Sequence, residues 1–187
     1  MGTTRLEAFS DGVLAIIITI MVLEMKVPHG ASLADLHPLL WVFLSYVLSF
    51  VNLGIYWNNH HHLLHTVGRV SGRILWANLH LLFWLSLMPF ATGWMGENHF
   101  DSLPTALYGG VLLMSGFAYW LLQKAILATH GPDSRLAQAL GRDFKGNISL
   151  LIYLGAIPLA FVNGAIAGAL YVLVALSWLV PDRRIER

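Results

Sequence analysis

Cysteine is absent from this chain of 187 residues, and charged residues make up only 11% of it. Without cysteine the chain forms no disulfide, has no thiol nucleophile and offers no thiolate to a metal ion. Soluble domains carry about 25% charged residues, so this chain has too few charges to cover a water-exposed surface. Hydrophobic residues instead make up 57% of the chain, and we expect an all-α polytopic membrane protein.

Clustered positive charge is also lacking. The formal net charge is +1, and no basic patch with interleaved aromatic residues appears, which excludes nucleic acid as a partner. We see no internal repeat and no separate soluble segment large enough to carry an activity of its own. The sequence therefore predicts a single transmembrane domain over residues 1–187.

Long apolar runs are present in abundance. Six of them are marked, at about 8–26, 39–60, 74–95, 104–128, 147–162 and 165–181. Each of the first four reaches the roughly 20 residues that a helix needs to cross the hydrocarbon layer. Pro89 is expected to kink the third segment near its end, because proline removes a helical hydrogen bond. We expect the first segment to be retained as a helix and not cleaved as a signal peptide.

The last two segments are short, and one long helix is an alternative interpretation. Pro158 interrupts the run, and Asn163-Gly164 is a turn signal, so we favour a helical hairpin. Positive charge agrees with six spans, since ten of the eleven Lys and Arg residues then lie on one side. By the positive-inside rule both termini are cytoplasmic, in a multi-pass protein of the cell membrane. The polar stretch at about 129–146 is expected to hold a short interfacial helix.

The first helix has two faces of different chemistry. On a helical wheel Ile16, Ile20 and Leu23 fall in one aliphatic stripe with Thr19 at its edge, whereas Ser10 and Asp11 point away from it. The stripe has an ordinary interpretation, in which it faces lipid or a neighbouring helix. Ser10 and Asp11 also have one, in which they cap the start of the helix. An ionisable group at a membrane helix is nevertheless a functional hypothesis by default.

Three motifs give these residues a context. The first helix opens with Arg5-x-x-x-Phe9-Ser10-Asp11, the second ends with Trp57-x-x-His60-His61, and the third holds Trp76-Ala-Asn78 followed by Pro89-Phe90. Together with the six predicted spans, they resemble the transmembrane-protein-175 family of potassium channels, over essentially the whole chain.

The resemblance implies a homotetramer in which the first helix of each subunit lines a central pore. It places the narrowest point of the pore at Ile16, further layers at Ile20 and Leu23, and a hydroxyl at Thr19. It also implies a potassium channel, with K⁺ as the permeant ion. Because K⁺ loses its water at a lower cost than the smaller Na⁺, we expect a tight apolar ring to favour K⁺ only moderately. We expect no cofactor and no enzyme activity. Narrow aliphatic rings tend to lose their water, so they also act as hydrophobic gates.

Residues of the three motifs are expected to form a structural network that fixes the rotation of the first helix. Its members would be Arg5, Phe9, Ser10, Asp11, Trp57, His60, His61, Trp76 and Asn78. Arg5 either pairs with Asp11 or lies among the lipid headgroups. We expect the loss of Asp11 to disturb assembly or gating and not selectivity.

Two further groups are left open by the sequence. The cluster of His60, His61, His62 and His65 is interpreted as polar packing or pH sensing, and metal binding is the weaker alternative because no carboxylate accompanies it. Glu24 either joins a ring of carboxylates at the external mouth of the pore, faces the headgroups or pairs with Lys26.

A secondary transporter is the alternative function, although it would need an ionisable or broken helix at the bilayer midplane. An intramembrane enzyme lacks a paired nucleophile and base.

Overall fold

The computed structural model of this protein describes residues 2–130 and 143–179, and the regular structure in these ranges is entirely helical. The helices are α1 (Thr3–Leu23), α2 (Leu33–Leu36), a 3₁₀ turn (His37–Leu39), α3 (Leu40–His65), α4 (Gly72–Ser86), α5 (Met88–Glu97), α6 (Ser102–His130), α7 (Phe144–Ala160) and α8 (Gly164–Leu179). Four stretches in the described ranges are long and apolar enough to cross a membrane, namely Thr3–Leu23, Leu33–His65, Gly72–Glu97 and Ser102–Thr129. They correspond to the first four predicted segments.

Helix α1 begins at Thr3, earlier than the predicted residue 8. Its N-cap is Gly2, which has no side chain with which to cap the helix. Leu6 is buried against the rest of the bundle, and this packing extends the helix beyond its continuous apolar run. Ser10 and Asp11 consequently lie well inside the helix, and the alternative interpretation of them as its N-terminal caps is wrong.

The third predicted segment is two helices in sequence. Helix α4 ends at Ser86, and α5 starts at Met88 with Pro89 in its first turn. Proline has no N–H to donate to the carbonyl four residues earlier, here that of Leu85, and its ring crowds that carbonyl. The break therefore falls at Leu87, two residues before the proline at which a kink was predicted.

Helices α7 and α8 are separate, so the interpretation as one continuous helix is wrong. Pro158 lies inside the last turn of α7, and the turn itself is made around Asn163. The side-chain oxygen of Asn163 accepts hydrogen bonds from the backbone N–H groups of Ala165 and Ile166, at 2.9 and 3.3 Å. These bonds satisfy donors at the start of α8 that have no partner within the helix.

The helices pack side by side, with α1 against α3, α4 and α5, and with α6 against α4 and α7. Long helices that follow one another along the sequence run in opposite directions, so the start of α1 lies beside the end of α3 and the first half of α4. We call this the N-terminal end of the bundle. The core of the predicted interfacial helix between residues 129 and 146 and the predicted end of the sixth segment at 181 lie outside the described residues.

Candidate functional site

Helix α1 carries a packed face and an open face. The packed face consists of Leu6, Ser10, Leu14, Ile17 and Met21, all of them buried. These positions recur every three or four residues, which is the spacing of one side of an α-helix. The helix is thus held to the subunit along its full length by one side only.

The open face of α1 consists of Gly12, Ile16, Thr19, Ile20 and Leu23. Ile16 is 58% exposed, Ile20 41% and Leu23 80%, and no helix in the described part of the chain covers them. The residues that the sequence places in the aliphatic stripe therefore share one uncovered surface, on the side opposite the packed face.

Thr19 adds a polar atom to the open face. Its hydroxyl donates to the backbone oxygens of Ile16 and Ala15, at 2.9 and 3.1 Å. A hydroxyl has a single proton and two lone pairs. Because the proton is turned back to the helix, the remaining lone-pair density of the oxygen is what Thr19 offers to its surroundings.

A chain of hydrogen bonds ties α1 to α3 and α4 at the N-terminal end. Asn78 Nδ2 donates to Ser10 Oγ at 3.0 Å, and Ser10 Oγ donates to the Leu6 carbonyl at 2.8 Å. His60 Nε2 lies 2.7 Å from Asn78 Oδ1. That amide oxygen can only accept, so the proton of a neutral His60 resides on Nε2. Ser10, His60 and Asn78 are all buried. Each donor in this series of hydrogen bonds is directed towards α1.

Asp11 takes part in a separate contact. Its Oδ1 accepts a hydrogen bond of 3.0 Å from Trp57 Nε1, and the Trp57 ring stacks on His61 with 6.4 Å between ring centroids. Asp11 is exposed, whereas Ser10 is buried. Adjacent residues on a helix point about 100° apart, so of these two members of the expected network only Ser10 points into the subunit.

Three other residues of the motifs lie outside these contacts. Trp76 is 75% exposed and Phe9 is exposed as well, so neither is enclosed by its own subunit. Arg5 is exposed, and among the described residues it forms no ion pair with Asp11. The expected network therefore divides into a buried chain through Ser10, Asn78 and His60 and a surface pair of Asp11 and Trp57.

A second chain of hydrogen bonds, which was not predicted from the sequence, reaches α1 near its other end. Ser49 Oγ lies 2.6 Å from Thr92 Oγ1 and 2.9 Å from the Tyr108 hydroxyl, and Thr92 makes a weak 3.9 Å contact with the sulfur of Met21. If Thr92 donates to that sulfur, Ser49 donates to Thr92 and accepts from Tyr108. The available signal was the polar series Ser45, Ser49 and Asn52, which is spaced as one face of the otherwise apolar first half of α3.

The histidine cluster is arranged for ring contacts. The His61 and His65 rings meet edge to face with centroids 4.5 Å apart, and His62 lies 5.6 Å from His61. His60 faces away from them, into the buried chain. Within the described ranges, no three His, Asp or Glu residues are grouped so as to hold a metal ion.

At the opposite end of the bundle Lys26 pairs with Glu97, at 2.8 Å, and not with Glu24. The hydrogen bond to Glu97 and the negative charge of that carboxylate raise the pKa of Lys26 above its ordinary value. Glu24 is exposed just beyond the end of α1, and one of its oxygens lies close to Gly93 of α5.

Comparison with known proteins identifies the fold. A family model described as endosomal/lysosomal potassium channel TMEM175 matches residues 5–89. A Chryseobacterium protein named as a potassium channel is 58% identical over 187 residues, which cover all of this chain and 97% of the relative. The chain belongs to the TMEM175 family. The stretch matched by the TMEM175 family model contains the open face of α1. It also contains His60, Asn78 and Ser10, which form the buried chain of hydrogen bonds.

More distant members of the TMEM175 family agree over nearly the whole chain. A Streptomyces collinus protein named as a potassium channel is 32% identical, covering 93% of this chain and 90% of that protein. The crystal structure of a lysosomal potassium-selective channel TMEM175 homologue from Chamaesiphon minutus aligns with a TM-score of 0.79. Its identity is 26%, and the alignment covers 95% of this chain and 96% of the other. The four long apolar stretches are therefore membrane segments of a TMEM175-type fold.

Proposed function

We propose that this chain is one subunit of a potassium channel in which four copies place the open face of α1 around a central pore. The observation that carries the proposal is the division of α1 itself. One face is fixed to the subunit by packing and by two hydrogen-bonded chains, and the other presents aliphatic side chains that nothing in the described part of the subunit covers. The Chryseobacterium and Streptomyces relatives, both named as potassium channels, support the same function.

In this proposal the chain crosses the cell membrane six times, with both termini in the cytoplasm. Helices α4 and α5 together make the third crossing, and α7 and α8 make the fifth and sixth. At 1.5 Å per residue, α7 and α8 are about 25 Å long, close to the 30 Å of a typical hydrocarbon layer. The distribution of Lys and Arg supports this orientation.

Selectivity would arise from dehydration at Ile16. An aliphatic ring offers no ligand, so an ion keeps its water or loses part of it without replacement. The smaller Na⁺ holds its water more tightly than K⁺ does, which makes the passage of K⁺ less costly. Ile20 and Leu23 would add further apolar layers, and a narrow apolar pore that loses its water would also close the channel.

Thr19 would moderate this barrier. Because its proton is bonded back to the helix, its oxygen faces the pore as an acceptor. An acceptor oxygen replaces part of the water that a cation gives up, which lowers the barrier between the layers at Ile16 and Ile20. Selectivity and conductance would then be set by neighbouring positions on the same helix.

Ion flux through purified protein in liposomes tests the proposed function. A channel gives an uncoupled K⁺ current whose reversal potential follows the K⁺ gradient, with a smaller permeability to Na⁺. The alternative, a secondary transporter, would show saturable flux coupled to a second ion. Coupled flux, or the absence of any cation flux from correctly assembled protein, would refute the channel.

Replacing Asp11 with alanine tests the role of the surface pair. The change removes the acceptor of the Trp57 indole N–H, and with it the hydrogen bond that joins Asp11 of α1 to α3. We expect a lower yield of tetramer or altered gating, with an unchanged K⁺/Na⁺ permeability ratio in the current that remains. Size-exclusion chromatography and reversal potentials measure the two effects.

Trp57→Phe is the matched variant, since it removes the donor and keeps a ring against His61. It should reproduce the effect of Asp11→Ala, and the double variant should be no worse than either single one. Normal assembly and normal current from Asp11→Ala would show that the pair has no positioning role.

A further inference from the structure

A cavity with about 60 Å³ of water-accessible space lies between α3, α6, α7 and α8. No residue of α1 is among its described lining residues, so it is separate from the proposed pore. Binding sites for small molecules are typically concave, largely apolar and furnished with a few convergent polar groups. This cavity has that composition, with several aromatic rings and one carboxylate among its lining residues.

Aromatic rings make up much of the wall. Tyr56, Tyr119, Trp120, Tyr153 and Trp178 all line the cavity. Two of them are anchored through their polar atoms: the Tyr119 hydroxyl donates to the Asn59 carbonyl at 3.2 Å, and Trp178 Nε1 donates to Ser149 Oγ at 2.9 Å. These hydrogen bonds fix the orientation of the two rings in the cavity wall.

A single formal charge accompanies the rings. Asp143 is the one charged residue among the described lining residues. Its carboxylate is held by the backbone N–H of Gly146 at 2.8 Å and by the side-chain amide of Gln123 at 3.4 Å. Both donors are neutral, so these contacts position the carboxylate without cancelling its charge. A carboxylate accepts about four hydrogen bonds, which leaves capacity for a ligand.

Aromatic faces and a carboxylate together favour an organic cation. The faces of Trp and Tyr rings attract ammonium groups, and cages of such rings recognise quaternary ammonium ligands. The structure already contains one contact of this kind beside the cavity, where Lys124 Nζ lies 5.5 Å from the centroid of the Trp120 ring. An anion would be repelled by Asp143.

We propose that this cavity binds the ammonium group of a small organic cation, with Asp143 as its counter-ion and the tyrosine and tryptophan rings as its walls. The proposal is independent of ion conduction and goes beyond the proposed channel function. A free amine and the ammonium headgroup of a lipid share this chemistry. A headgroup can reach the site because Asp143 lies at the start of α7, where the proposed fifth crossing of the membrane begins.

Binding of radiolabelled choline to purified protein in maltoside micelles, measured by equilibrium dialysis, tests the proposal. We expect one choline per subunit and a loss of affinity of about tenfold or more in Asp143→Asn, because the close charge pair is removed. Asparagine caps a helix about as well as aspartate does, so α7 should still begin correctly. The neutral isostere 3,3-dimethyl-1-butanol should compete poorly.

Matched variants make the test specific to this cavity. Asp101→Asn removes a carboxylate that accepts from the backbone N–H of Ser102 at the other end of the bundle, and it should leave binding unchanged. Tyr119→Phe keeps the ring face and should retain binding, whereas Tyr119→Leu should weaken it. Equal binding by Asp143→Asn and the native protein, or equal affinity for the neutral isostere, would overturn the proposal. Loss of channel current has no bearing on it.

The source of the ammonium group is resolved by repeating the measurement in nanodiscs. If phosphatidylethanolamine lowers the apparent affinity for choline relative to pure phosphatidylglycerol, the lipid headgroup occupies the site. If the two membranes give the same affinity, the natural ligand is a soluble amine. In Asp143→Asn the weak residual binding of choline should not depend on the lipid.

Discussion

Replacing Ile16 with asparagine is expected to lower the K⁺/Na⁺ permeability ratio severalfold and to raise the conductance. Ile16 is 58% exposed on the open face of α1, so the new side chain would project into the proposed pore and not into the subunit core. An amide supplies both donors and acceptors, which lets the constriction hold water and lets Na⁺ pass without losing its shell. Reversal potentials in mixed K⁺ and Na⁺, recorded from liposome patches, measure the change.

Two control variants make this result specific. Ile16→Leu keeps an aliphatic side chain of the same size and should preserve the permeability ratio. Ile17 is the adjacent residue of the same type, but it is only 4% exposed. Ile17→Asn should therefore give little folded protein, since it buries an unpaired amide in the core. An unchanged ratio and conductance in Ile16→Asn would remove Ile16 from the constriction.

Replacing Asn78 with leucine is expected to destabilise the protein strongly. Asn78 links His60 to Ser10 in the buried chain that reaches α1. Leucine has a similar volume but leaves the His60 N–H buried without its acceptor, at a cost of about 1–3 kcal/mol. If the hydrogen-bonded chain fixes the rotation of α1 in the proposed tetramer, the variant should also assemble poorly.

Thermal unfolding in detergent micelles, followed by size-exclusion chromatography with tryptophan fluorescence, measures the loss of stability. Asn58→Leu is the matched control, because Asn58 is an exposed asparagine on α3 near the same end of the bundle. The control should unfold close to the native temperature. A native unfolding temperature and native tetramer yield in Asn78→Leu would show that the buried chain does not hold α1.

Much of the fold was predictable because a membrane helix requires a long run of apolar residues, which is visible in the sequence. The four longest membrane segments lie where the hydropathy of the chain predicts them, and the resemblance to the transmembrane-protein-175 family is confirmed by the family model and the relatives. Helix ends were less predictable. Helix α1 starts at Thr3 because Leu6 packs into the bundle, and the break before α5 falls at Leu87 because Pro89 affects the preceding turn.

The candidate site was partly visible in the sequence. Spacing alone places Ile16, Ile20 and Leu23 on one face of α1, and they are exposed together in the structure. The roles of Ser10 and Asp11 were harder to separate, because the motif presents them as a pair. Ser10 turns into the core towards Asn78, whereas Asp11 remains at the surface with Trp57. Trp76 belongs to the same motif as Asn78, yet it lies on the exposed side of α4.

By itself the sequence determined that this is a helical membrane protein, which helix has two chemical faces and which family it resembles. These properties depend on composition and on spacing along one chain. Only the tertiary structure decided which polar atoms meet, since the bonds from His60 to Asn78 to Ser10 join residues up to 68 positions apart. The cavity around Asp143 arises in the same way, from four helices whose individual patterns show no sign of it.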